Sequence, residues 1–131
     1  MFTLIHRKER YVIVSVSESG ANAVLDTLGD LMSGGAIELL SENGTVLCRL
    51  GLSTPATSMA VGGALAFNDI RTGIASSSGE AKVGRILSSD GGEVFSCDVG
   101  TTNSDAVIKL SSVAIKRSEA VHIGSFTLVM P

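Results

Sequence analysis

Asn43-Gly44 and Asp90-Gly91-Gly92 each stand between two short runs of apolar and β-branched residues, and this arrangement constrains the fold more than any other feature of the chain. Asn-Gly and Asp-Gly favour the positive φ angles of tight hairpin turns, so each predicts a pair of antiparallel strands. Residues 36–41 (AIELLS) return as residues 45–52 (TVLCRLGL), with Val46, Cys48, Leu50 and Leu52 alternating onto one face. Residues 81–87 (AKVGRIL) return as residues 93–99 (EVFSCDV); Phe95, Cys97 and Val99 share the inward face while Glu93 and Asp98 reach solvent. RYVIVSV (10–16), AFNDI (66–70), DAVIKL (105–110) and the closing AVHIGSFTLVMP (120–131) read as further strands. Loops or bends separate them: a small-residue loop with Pro55 and Gly62-Gly63, the polar RTGIASSSGE (71–80), and turns at 100–104 and Ser118-Glu119. Turn signals recur roughly every 8–14 residues, the spacing of an all-β sandwich or barrel with about eight to ten strands.

One stretch departs from this pattern. In NAVLDTLGDLMSGG (22–35), Val24, Leu25, Leu28, Leu31 and Met32 fall at i, i+1, i+4, i+7 and i+8, an apolar helical face. Ser19 or Asn22 caps its start, and Gly34-Gly35 ends it with φ > 0. A chain of 131 residues suits a single domain at 10–131, preceded by an arm at 1–9 whose apolar tip runs into HRKE.

Hydrophobic residues make up 44% of the chain and charged residues 18%, with a mean hydropathy of +0.38. An average soluble domain is about 25% charged. No run of ~18 apolar residues is present, so no segment is expected to span a bilayer. The opening MFTLIHRKER is apolar before it is basic, the reverse of a secretory signal. Part of so sparsely charged a surface is expected to be covered by other subunits. The net charge of −3 and an aromatic content of 4% argue against a nucleic-acid binder, which needs a basic stripe and stacking platforms.

The search for chemistry returns no catalytic, metal or cofactor set. His6 and His122 have no partner at metal-ligand spacing. Cys48 and Cys97 read as reduced core thiols, a disulfide between them being the alternative, and a Cys–His pair with His122 is neither supported nor excluded. The acids are scattered turn residues, and a sugar-cleaving groove would want Trp and Tyr, of which the chain has none and one. The glycines of MAVGGAL and SSSGEAKVG lack the Lys-Ser/Thr or β-turn-α context of a phosphate loop. The arm is the candidate partner-binding segment, through Phe2, Leu4, Arg7, Lys8 and the adjoining Arg10.

NAVLDTLGDLMSGGAIELLSENG, then SSGEAKVGRILSSDGGEVFSCDVGTTNSDAVIKL, then AVHIGSFTLVMP, follow an order of helix, Gly-Gly turn, strand, D-G hairpin and final Ser-Phe-Thr-Leu strand. Over residues 22–131 this layout resembles small jelly-roll cement, or decoration, proteins of tailed bacteriophage virions. The resemblance implies a jelly-roll-like antiparallel β-sandwich with one short N-terminal helix. It implies a non-enzymatic capsid subunit on the exterior of the virion, assembled in the bacterial host cytoplasm. The implied partners are the major capsid protein and further copies of the chain, with no cofactor, nucleic acid or membrane. A tail- or collar-associated subunit is the neighbouring alternative, and a ligand- or carbohydrate-binding sandwich the one from another class. The chain departs from the pattern where LLSENGTVLCRLGLSTP lacks the aromatic, early-proline loop expected after the first strand.

The uncharged finish fits two arrangements. It is either an interior strand, with His122, Gly124, Phe126, Leu128 and Met130 on one face and Val121, Ile123, Ser125, Thr127 and Val129 on the other, or a strand that augments a partner's sheet. The first buries Phe126, Leu128 and Val129 at ~1.5–3 kcal/mol each.

Overall fold

The computed structural model describes residues 2–7, 11–124 and 126–129, the first two strands by their backbone path. In chain order these are β1 (Phe2–Arg7), β2 (Tyr11–Val16), α1 (Glu18–Met32), β3 (Ala36–Leu40) and β4 (Val46–Gly51). Then come β5 (Ala64–Ala66), β6 (Gly73–Ile74), β7 (Gly79–Glu80), β8 (Val83–Leu87) and β9 (Glu93–Thr101). The chain closes with β10 (Ile108–Leu110), β11 (Ala114–Ile115), β12 (Ala120–Val121) and β13 (Thr127–Val129). The protein is mostly β-sheet with one helix, and its many short strands exceed the eight to ten expected.

Both predicted hairpins are present and sit together in a five-stranded sheet of order β10-β9-β8-β3-β4. Gly44 and Gly91 take φ of 86° and 89°, the left-handed geometry that made the two turns readable. Register fixes the faces, because directly paired residues project to the same side. Ile37 pairs Leu50 and Ile86, and Ile86 pairs Phe95; Leu39 pairs Cys48 and Gly84. These residues face the core. One residue along, Glu38 pairs Arg49 and Arg85, and Arg85 pairs Ser96, so the reverse face is polar.

The sheet is not wholly antiparallel as expected, since β10 runs parallel to β9. Residues 102–107 turn the chain back quickly enough because their own polar groups pin the loop. Ser104 Oγ donates to the Thr101 carbonyl at 2.7 Å, and Asp98 Oδ1 accepts from the Val107 N–H at 2.9 Å.

Three two-stranded patches, β5–β13, β6–β12 and β7–β11, form one interrupted ribbon. Ala64 pairs Val129, Gly73 pairs Val121 and Glu80 pairs Ala114, so residues 64–80 run antiparallel to 114–129 with a single-residue slip along the way. RTGIASSSGE, read as a polar bend, is the middle of this ribbon. The ribbon runs along the outer edge of β4, where the Arg71 N–H donates to the Gly51 carbonyl and the Ser76 N–H to the Leu47 carbonyl, at 2.9 and 2.8 Å. Contact here is close: a Cβ at Gly73 would stand 2.5 Å from the Arg49 carbonyl oxygen and 2.8 Å from Cys48 Sγ. The sheet therefore curls over its own inner face.

The helix completes the second layer. It begins earlier than expected, because Ser17 rather than Ser19 or Asn22 is the cap; its Oγ accepts from the Gly20 N–H at 3.1 Å. Glu18 in the first turn adds a favourable charge at the positive end of the helix. Ala21, Leu25, Gly29 and Met32 form its buried face. Leu25 and Met32 join Ile37, Leu39, Leu50, Leu65, Ile86, Ile108, Ile123 and Phe126 in one continuous core. Each large side chain there is worth ~1.5–3 kcal/mol of burial.

The final segment is not one continuous strand. It breaks between β12 and β13, and the break inverts the alternation, so Ile123 and Phe126 are both buried despite their opposite parity. Phe126 stacks on Phe67 with ring centroids 4.3 Å apart. Val129, expected to be buried, is 61% exposed.

Candidate partner-binding surface

Cys48, Leu39, Gly84 and Cys97 form one row across β4, β3, β8 and β9. Three strand spacings put the two cysteines about 14 Å apart, beyond the reach of a disulfide. Both are free. Burial pushes the Cys97 thiol up to about 12, with the neighbouring Asp98 carboxylate adding to the effect. Burial also raises the Cys48 thiol, against a smaller lowering by a backbone hydrogen bond from Arg49. Thiols held in this way are poor nucleophiles. His122 is exposed and lines a cleft of about 270 Å³ with Asp69 and the Phe67–Phe126 pair; neither cysteine lines it. Among the described residues no three His, Cys, Asp or Glu side chains come together as metal ligands, and none of the buried side chains is polar or charged.

What chemistry the surface has is electrostatic and local. Glu38, its side chain only 13% exposed, receives Arg85 through Nη2 at 2.6 Å and Nε at 3.1 Å, with Arg49 Nη1 at 3.5 Å on its other oxygen. This row stiffens the polar face of the sheet. Lys82 pairs with Glu80 at 3.0 Å, which raises its ammonium. Asp90 accepts from the Ser88 hydroxyl and the Gly92 N–H within its turn, and is lowered by them.

Of the five residues expected to bind a partner, Phe2, Leu4 and Arg7 lie on β1, while Lys8 and Arg10 lie outside the described residues. Within the stretch read as an arm, β1 is a strand antiparallel to β2, and the two form a sheet of their own. Phe2 pairs Val16, Leu4 pairs Val14 and His6 pairs Val12; Thr3 pairs Ser15, Ile5 pairs Ile13 and Arg7 pairs Tyr11.

The body offers apolar side chains of its own to solvent. Val24 and Leu31 on α1 are 45% and 52% exposed, and Leu28 between them is half-buried. Together they make a stripe at i, i+4 and i+7. Their sequence signal lay in the adjacent pairs Val24-Leu25 and Leu31-Met32, an apolar arc wider than one buried face takes up. Met59 and Val61 are exposed as well, on the small-residue loop that holds Pro55 and Gly62-Gly63. That loop is fastened to the helix by side chains facing it. Asn22 Oδ1 accepts from the Gly63 N–H at 2.9 Å, Asp26 Oδ1 from the Ala60 N–H at 2.7 Å, and Ser33 Oγ from the Ala56 N–H at 3.1 Å. A wide cleft of about 550 Å³ separates β10 from β13, and Val107, Lys109, Leu128 and Val129 line it.

Comparison with protein-family models, with curated proteins and with solved structures returned no match. Fold and surface together define a mostly-β protein with an apolar core and several outward-facing apolar side chains. No helix among the described residues is long and apolar enough to cross a membrane.

Proposed function

We propose that this chain is a virion structural protein, a cement or decoration subunit that binds across neighbouring capsid subunits on the outside of the head shell. The observation that carries this reading is the pairing of an all-apolar core with large apolar side chains left at the surface: Val24, Leu31, Met59, Val61, Ile74, Val107 and Val129. Such a surface suits contact with other subunits, and a tightly packed core keeps it rigid. The layout shared with phage cement proteins supports the same reading. So does the ribbon of residues 64–80 with 114–129, because a long antiparallel ribbon curled over a sheet is how a jelly roll is built. We infer a jelly-roll-like architecture on that basis. The partners are the major capsid protein and further copies of the chain, met after assembly in the bacterial cytoplasm.

The test is co-sedimentation of the purified chain with head shells of its own virus, followed by cryo-electron microscopy of the particles. Saturable binding with ordered density on the shell exterior is expected. Failure to sediment with shells, or density at the tail or collar instead, overturns the assignment.

A further inference from the structure

The turn that joins β3 to β4 carries chemistry as well as geometry. The chain holds four asparagines and no glutamine, so only Asn22, Asn43, Asn68 and Asn103 can lose a side-chain amide. Asparagine is thermolabile because the backbone nitrogen of the next residue can attack its Cγ, and a glycine in that position leaves the path clear. Asn43-Gly44 is the one Asn-Gly pair. Asn43, Gly44 and Thr45 are exposed, and beyond its chain neighbours no atom stands within 4 Å of where a Cβ on Gly44 would lie.

Hydrogen bonding separates the four side chains. Asn22 lies within α1, and its Oδ1 accepts from the Gly63 N–H. Asn68 is half-buried and held at both ends: its Nδ2 donates to the Pro55 carbonyl and its Oδ1 accepts from the Ser58 hydroxyl, each at 3.0 Å. Asn103 is exposed, but Ser104 follows it, and a side chain there hinders the approach. Asn43 is arranged the other way. Its Oδ1 accepts from two hydroxyls, Ser41 Oγ and Thr45 Oγ1, the latter at 3.2 Å, while its Nδ2 donates to no group among the described residues. The carbonyl is thus polarised where negative charge would develop, and the departing nitrogen is unbound. One contact opposes the reaction, because the Gly44 N–H donates to the Ser41 carbonyl at 3.0 Å. That bond closes the tip of an exposed hairpin, so local opening releases it.

We propose that Asn43 is a site of spontaneous deamidation, promoted by the Ser41 and Thr45 hydroxyls. Hydroxide removes the Gly44 amide proton, the nitrogen attacks Asn43 Cγ, and the tetrahedral oxyanion forms on Oδ1. Its collapse breaks the Cγ–Nδ2 bond, and Nδ2 takes a proton from water and leaves as ammonia. Water then opens the cyclic succinimide at either carbonyl, leaving aspartate or isoaspartate at position 43. One water is consumed, one ammonia is released, and nothing is oxidised or reduced. The new carboxylate joins Glu42 and Glu80 beside Lys82, in the open hollow that these residues line with Ser41. Isoaspartate also adds a methylene to the main chain of the turn that sets the β3–β4 register.

The experiment incubates the full folded chain at physiological temperature and at mildly acidic, neutral and mildly alkaline pH. Peptide mapping by mass spectrometry then follows the four asparagines and separates aspartate from isoaspartate. Asn43 is expected to react at least roughly tenfold faster than Asn103, faster at higher pH, and to give both products. Thr45→Val removes the hydroxyl from an exposed side chain of the same shape, and is expected to slow the reaction about three- to tenfold with the melting temperature unchanged. Thr45→Ser is expected to restore the rate. A rate at Asn43 no faster than at Asn103, aspartate without isoaspartate, or Thr45→Val reacting as fast as the parent overturns the proposal. So does a Thr45→Ser variant that stays slow. None of these outcomes depends on binding to a shell.

Discussion

Phe126→Ala probes the weakest-looking part of the structure, the broken final segment that holds the ribbon against the core. Phe126 is 3% exposed and lies flat against Phe67, with an interplanar angle of 2°. Truncating a buried Phe to Ala costs about 3–5 kcal/mol, from lost transfer energy and the cavity left behind. Stacking contributes about 0.5–1.5 kcal/mol of coupling beyond that. For a domain of this length each kcal/mol moves the melting temperature by roughly 3–5 °C, so a drop of about 9–25 °C is expected. Urea denaturation of Phe126→Ala, Phe67→Ala and the double variant closes a cycle that isolates the stacking. Phe67 is only half-buried, so its single variant costs less, about 1–3 kcal/mol. A loss below ~1 kcal/mol for Phe126→Ala, or a coupling indistinguishable from zero, would show that β12 and β13 are not anchored through this pair.

Gly73→Ala is expected to lose about 1–3 kcal/mol, because its Cβ would meet the Arg49 carbonyl and Cys48 Sγ rather than a yielding side-chain tip; thermal melts measure this, and a neutral result would mean the ribbon stands off β4. Glu38→Ala should cost about 1–3 kcal/mol by leaving Arg85 unpaired, while Arg49→Ala, which removes the longer and more exposed contact, should cost under ~0.5 kcal/mol. The Cys97 thiol sits near 12 in the fold against an ordinary 9.0, so its neutral form is the favoured one. Its stabilising contribution is therefore complete below pH 9 and is lost as pH rises from there towards 12. Cys97→Ala should flatten that alkaline loss in chemical denaturation, and an unchanged slope would refute the assignment.

How much of this was legible in the sequence depended on how locally each element is encoded. The β3–β4 and β8–β9 hairpins were readable because Asn43-Gly44 and Asp90-Gly91 name their own turns. The β1–β2 hairpin was not, since its connection of Lys8, Glu9 and Arg10 contains no Gly or Asn. Phe2, Leu4 and Arg7 were picked out as sticky residues, but their pairing with Val16, Val14 and Tyr11 emerges only from the backbone. The ribbon was illegible for a different reason. Its strands are as short as two residues, β6 and β7 each begin with a Gly, and each strand finds its partner some 35 to 65 positions away. The final segment misled by its regular alternation, which takes no account of the break that turns Ile123 and Phe126 to the same side. On the helix, periodicity placed Val24 and Leu31 with Leu25 and Met32, and only packing separates the outward pair from the inward one.

Because the ribbon pairs in three separate patches, with a single-residue slip between the first and the second, it is built as three latches in series rather than one seam. The three differ in burial: β5 with β13 carries buried Leu65 next to the Phe126 anchor, whereas β7 with β11 has Gly79, Glu80 and Ala114 exposed. Amide exchange should then differ from patch to patch along residues 114–129, fastest at β11. A neighbour that grips the loosest latch would have a graded handle on the curl of the whole sheet.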